Sequence, residues 1–280
     1  MAVTRHEPFG ACAALECGPL RALIAPGLGM SLVEFSLRGE SLLDLSRRET
    51  FLACRKGLGP LILPHFNLSQ RVPQVDLSRF PHAAQLEKLG VKDPFQHGVG
   101  RYAPWEFEEG AGSVSGKLSG DTRWNGYHLR EITGYEFQAK VTYSLGPAGL
   151  EIAFDLSGGE PVQAGIHFYY DLKNRSTAEA RLPLAGEEGE RTVRFEGGVS
   201  QVFTPRPDGE GFATYRLETE AYTLDTTVRV AGDPEETFEA VVLFSPEGER
   251  FACVEPLSAL TAGNRKQRHR GRILLHPAER

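Results

Sequence analysis

Apolar and polar residues alternate with a period of two through the middle of the chain. Phe137, Ala139, Val141, Tyr143 and Leu145 fall on one side, and Gln138, Lys140, Thr142 and Ser144 on the other. That is the pattern of a strand with one buried face. GPAG, Gly146 to Gly149, turns the chain, and LEIAFDL resumes with Leu150, Ile152, Phe154 and Leu156 inward, so a hairpin is predicted. Upstream, Leu20 to Pro26, Ser31 to Leu37 and Glu40 to Ser46 are short apolar or alternating runs punctuated by Gly27, Gly29 and Gly39, and read as a meander. Gly57 to Gln74 carries three prolines and reads as a long ordered loop crossing the sheet. SVSGKLS, RTVRFEGG, ATYRLETE, AYTLDTTVRV, TFEAVVLFS, FACVEP and RILLHP read as further strands. The one helix predicted before the middle is Ala83 to Leu89, closed by Gly90. The class is all-β: a single large antiparallel sandwich over residues 1–280, with no internal repeat.

One stretch departs from simple alternation. In QAGIHFYYDL, Gln163 to Leu172, Gly165, His167 and Tyr169 share one face while Ile166, Phe168 and Tyr170 share the other. Both faces are largely apolar or aromatic, so the strand is covered on both sides and its imidazole needs a partner or a job. The plain reading is a core histidine bonded to backbone. Two other features favour a site: QHGVGRYAPW, with His97, Arg101 and Trp105 at intervals of four, and the isolated carboxylate Glu255 in FACVEPL. Gly98 and Gly100 let the backbone approach something closely. GVGR is not a phosphate loop, because it lacks the GxxxxGK spacing.

Charge and cysteine content narrow the classes. A formal charge of -6 and a pI near 5.8 argue against a nucleic-acid or membrane-surface binder. The exception is NRKQRHRGR, Asn264 to Arg272, which reads either as a solvated edge or as a docking patch for an anionic group. Cys12, Cys17, Cys54 and Cys253 show neither a CxxC pair nor zinc-type spacing with histidine, so free thiols in a reducing cytoplasm are expected. No secretory leader or run long enough to span a bilayer is evident.

With these residues in view, the chain resembles the aldose 1-epimerase (galactose mutarotase-like) family. The resemblance rests on GLGMSLVEFSLRGESLLDLS, on GPLILP (Gly59 to Pro64), and on His97, Gly98, Arg101 and Trp105. It continues with Gly165, His167 and Tyr169 and ends with CVEP, Cys253 to Pro256. It implies a β-supersandwich whose open face holds a monosaccharide, acting as monomer or homodimer without metal or other cofactor. It also implies that Glu255 is the base for the anomeric hydroxyl and His167 the acid for the ring oxygen, with His97 and Arg101 on ring hydroxyls. Asn67, Arg71, Trp105 and Asp225 are further substrate-binding candidates; for Asp225 the alignment is loose and a strand-surface role is the better expectation. Three departures stand out: Phe168 replaces the usual proline after the histidine, Arg71 lies four residues beyond Asn67, and LSALTAGNR replaces a tryptophan-containing segment.

The residue types suit the chemistry by themselves. Ring opening needs one group that takes a proton and one that gives it, and a carboxylate of pKa about 4.3 beside an imidazole of about 6.5 fills both roles near neutral pH. The resemblance implies three functions in order: a mutarotase for free aldoses, a hexose-6-phosphate 1-epimerase, and a non-catalytic carbohydrate-binding or sensing module.

Overall fold

The computed structural model describes residues 4–66, 74–260 and 266–280. Among them, every strand pairing is antiparallel, and the strands form three larger sheets and a two-stranded ribbon. The first sheet joins Thr4–His6, Gly10–Cys17, Leu20–Ala25, Ser31–Leu37 and Glu40–Ser41 in sequence order. This is the predicted meander with two strands added before it. Glu40 to Ser46 is strand only at Glu40–Ser41; Asp44 then accepts from Ser46 N–H at 3.1 Å and starts a 3-10 turn over Leu45–Arg47. The local carboxylate bond outcompetes further pairing there.

The largest sheet has ten strands, with Phe137–Gly146 and Gly149–Val162 near its middle. Their hairpin has the predicted register, and Phe137, Ala139, Val141, Tyr143 and Leu145 are all buried. Tyr143 crosses to the first sheet, donating its hydroxyl to Met30 O at 2.8 Å. The predicted helix is present at Pro81–Lys88; two shorter ones, Arg48–Cys54 and Leu129–Thr133, were not evident in the sequence. Among the described residues, no helix is long and apolar enough to cross a membrane.

The third sheet positions the histidine. It runs Val199–Phe203, Ala240–Ser245, Phe251–Leu257, Gly165–Ile166 and Leu61–Ile62, with Phe168–Asp171 also paired to Phe251–Leu257. The expected single strand around His167 is thus in two pieces. Opposite Ile166 stands Pro256, which has no N–H to give, so the ladder is interrupted there without a shift of register. His167 N–H bonds instead to Pro60 O at 3.0 Å, and Tyr169 N–H to Leu58 O at 2.7 Å. The alternation holds as predicted: Ile166, Phe168 and Tyr170 join the main apolar core, while Tyr169 packs with Phe251 and Cys253 in a smaller cluster.

Candidate active site

Gly165 pairs with Leu257 and Phe168 with Val254 in one continuous register, which sets His167 directly across from Glu255. Cross-strand neighbours project to the same face. His167 Nε2 consequently lies 3.1 Å from Glu255 Oε1, with both residues buried. Cys253, two residues before Glu255, projects to that face too, and Tyr169 stacks under the imidazole at 4.6 Å with planes 18° apart.

His97 and Arg101 arrive from a separate loop. His97 is held at φ 68° by two backbone bonds, its N–H to Phe66 O at 2.7 Å and its C=O from Leu63 N–H at 3.1 Å. Its ring lies 5.2 Å from that of His167. Gly98 follows at φ 93°, and a Cβ there would sit 1.9 Å from Leu63 O; at Gly100 it would meet Leu63 Cδ1 at 2.3 Å. These glycines do allow a close backbone approach, and what they approach is the Leu61–Leu63 stretch. The 3-10 turn Val99–Arg101 then buries Arg101, whose Nε donates to Leu61 O at 3.1 Å. Among the described residues, its Nη2 is buried without a partner, as is Nδ1 of His97.

Lys56, which the sequence did not single out, adds a second cation. It follows the left-handed C-cap Arg55 of the helix Arg48–Cys54, and its charge acts on Arg101, Glu255 and His167. Its only sequence signal is its place before the closely packed Gly57, in RKGLGP. Burial lowers the Lys56 ammonium from its ordinary value, as does neighbouring Arg101.

Burial also governs the histidine–glutamate pair. It pushes the Glu255 carboxyl up to about 8, against the opposing pull of Arg101 and Lys56. His167 is held well below the ordinary imidazole value, by burial first and then by the same two cations. His97 is depressed for similar reasons. At neutral pH these shifts favour a carboxylic acid beside a neutral imidazole, with one exchangeable proton in the pair.

The other sequence candidates divide. Trp105 is in the main core, with its indole N–H given to Gly100 O at 2.8 Å; it braces the turn carrying Arg101 instead of lining the site. Asp225 makes a two-pronged bond with Arg216, at 2.7 Å on each oxygen, on the outward face of the ten-stranded sheet. It does not join His167 and Glu255. Asn67 and Arg71 lie outside the described residues, as do Asn264 and Arg265 of the basic run. Among the described residues of the run, Arg268 pairs with Asp155, Arg270 with Asp233 and Glu235, and Arg272 with Glu151, as an ion-paired edge would. Two open depressions of about 670 and 690 Å³ share Lys140 and Asp155 on the large sheet, and neither includes His167 or Glu255.

No sequence-family profile matches the chain, and no protein of curated function is detectably similar to it in sequence. Solved structures are similar in fold. A protein from Synechocystis sp. PCC 6803 aligns over 100% of this chain and 99% of its own, with a TM-score of 0.70 at 17% identity. A galactose mutarotase-like protein from Clostridium acetobutylicum aligns over 96% of each chain, with a TM-score of 0.62 at 14% identity. The fold is galactose mutarotase-like. A putative aldose 1-epimerase from Escherichia coli K12 gives a TM-score of 0.62 at 15% identity, over 96% of this chain and 99% of that one. At such identities the mutarotase-like likeness is one of fold.

Proposed function

We propose that the chain is a cofactor-independent aldose 1-epimerase that interconverts the α and β anomers of a monosaccharide. The observation that carries this reading is the buried contact of 3.1 Å between His167 Nε2 and Glu255 Oε1, with unpartnered polar atoms of His97 and Arg101 beside it. One member of the pair takes the anomeric hydroxyl proton while the other gives a proton to the ring oxygen. The ring opens, the C1 to C2 bond rotates, and closure returns both protons. Glu255 as base and His167 as acid require the shared proton to be on the imidazole, which the contact lets it reach directly. His97 and Arg101 hold ring hydroxyls. The chain acts as a single domain, residues 1–280, as monomer or homodimer, and its four unpaired cysteines favour a reducing cytoplasm.

A second reading has its own observation. Arg101 and Lys56 bring two positive charges to a site whose one carboxyl is mostly protonated, so an anionic substrate such as a hexose 6-phosphate is favoured electrostatically. The test follows fresh α-D-glucose, α-D-galactose and glucose 6-phosphate to anomeric equilibrium by polarimetry, with the wild type and Glu255→Gln. Acceleration lost in the variant supports the epimerase. Acceleration confined to the phosphate selects the second reading, and sugar binding without acceleration leaves a carbohydrate-binding module.

A further inference from the structure

The strand register that joins His167 to Glu255 also brings a thiol to them. Cys253 and Glu255 alternate onto one face of Phe251–Leu257, and His167 stands across from Glu255. One donor atom from each of His167, Cys253 and Glu255 lies within 4.8 Å of the other two. We propose that these three side chains form a binding site for a borderline-soft divalent cation, zinc or its cobalt and cadmium analogues.

The donor set is nitrogen, sulfur and oxygen, which suits zinc. With metal–ligand bonds of about 2.0 to 2.3 Å in a tetrahedron, donor atoms sit roughly 3.3 to 3.8 Å apart. The His167–Glu255 contact of 3.1 Å is already near that spacing, and side-chain rotation can draw the three donors together. Three protein ligands leave a fourth position. His97, whose ring lies 5.2 Å from that of His167 and whose buried Nδ1 has no partner among the described residues, is a candidate to fill it.

Arg101 and Lys56 oppose a bare cation here, and the anionic thiolate and carboxylate ligands offset their charge when the ion binds. A divalent ion enters as two protons leave, one from the Cys253 thiol and one from the Glu255 carboxyl. The ion then ties up the atoms assigned above to proton transfer, so it inhibits. That consequence rests on the epimerase reading, whereas the binding itself does not.

The experiment uses the full chain, reduced, stripped with chelator and titrated with cobalt(II) chloride. A thiolate-to-cobalt charge-transfer band in the near ultraviolet is expected at one ion per chain, and zinc should abolish it. Cys253→Ser should lose the band and bind cobalt about tenfold or more weakly. Cys253→Ala serves as a second variant if a buried hydroxyl disturbs the strand. Cys17→Ser, at a partly exposed thiol away from this face, should retain both band and affinity. Absence of the band at saturating cobalt, or its persistence without Cys253, overturns the proposal. A protein that binds cobalt as described yet never accelerates mutarotation would overturn the epimerase reading and leave the metal site standing.

Discussion

His167 and Glu255 are cross-strand partners, 3.1 Å apart at Nε2 and Oε1, and the contact exists because the register runs unbroken across Pro256. A slip of one residue would turn one of them into the apolar core.

Glu255→Gln keeps the shape of the side chain but cannot accept a proton. Mutarotation should fall by about a hundredfold or more, with sugar affinity roughly retained. Polarimetry paired with calorimetric sugar titration checks this, and unchanged turnover removes Glu255 from its role.

The same variant should be more stable at alkaline pH. The Glu255 pKa is about 8 in the folded chain and about 4.3 when unfolded, so folding favours the protonated form. That stabilisation is complete below the unfolded value and is lost as pH rises through about 8. The amide has no such loss, so Glu255→Gln should melt higher than wild type at pH 8 to 9, with the gap shrinking toward pH 5.

His167→Asn should lower turnover by about a hundredfold or more while remaining folded, because its strand is held by backbone bonds to Pro60 and by pairing with Phe251–Leu257. Circular dichroism beside the rate measurement decides the matter: loss of the fold would return His167 to a purely structural role.

Turnover against pH should be bell-shaped. The active pair holds one proton; it loses that proton with an alkaline limb near 8 and gains a second on an acid limb below the ordinary imidazole value. Unperturbed side chains would instead put the alkaline limb near 6.5. A limb found there would mean that burial does not govern the pair.

Lys56→Met removes a charge near Glu255 without touching the backbone bonds of the site. It should lower kcat/KM for glucose 6-phosphate about tenfold more than for glucose, the size of one favourable charge contact of about 1.4 kcal/mol. Equal effects on both sugars would remove the phosphate reading.

Much of the framework was legible because strand periodicity is a local property. The alternation of Phe137 to Leu145, the turn at Gly146 to Gly149 and the two faces around His167 all follow from side chains that need one side buried. The strand expected over Glu40 to Ser46 extends only over Glu40–Ser41 for a local reason too: the Asp44 carboxylate caps a turn, which hydrophobic alternation does not register. Trp105 and Arg101 fall at regular spacing in the chain, yet one braces the core through Gly100 O and the other bonds Leu61 O and acts electrostatically on Glu255.

By itself, then, the sequence determined an all-β chain with a histidine and a glutamate on strands that alternate in burial. Tertiary structure decided that the two face each other, that Lys56 and Arg101 stand beside them, and that the proton rests on the carboxyl. Alternation depends on neighbours two residues away, whereas register, convergence of loops and loss of water depend on segments far apart in the chain. Those longer-range terms move Glu255 from an ordinary carboxylate to a group poised near 8.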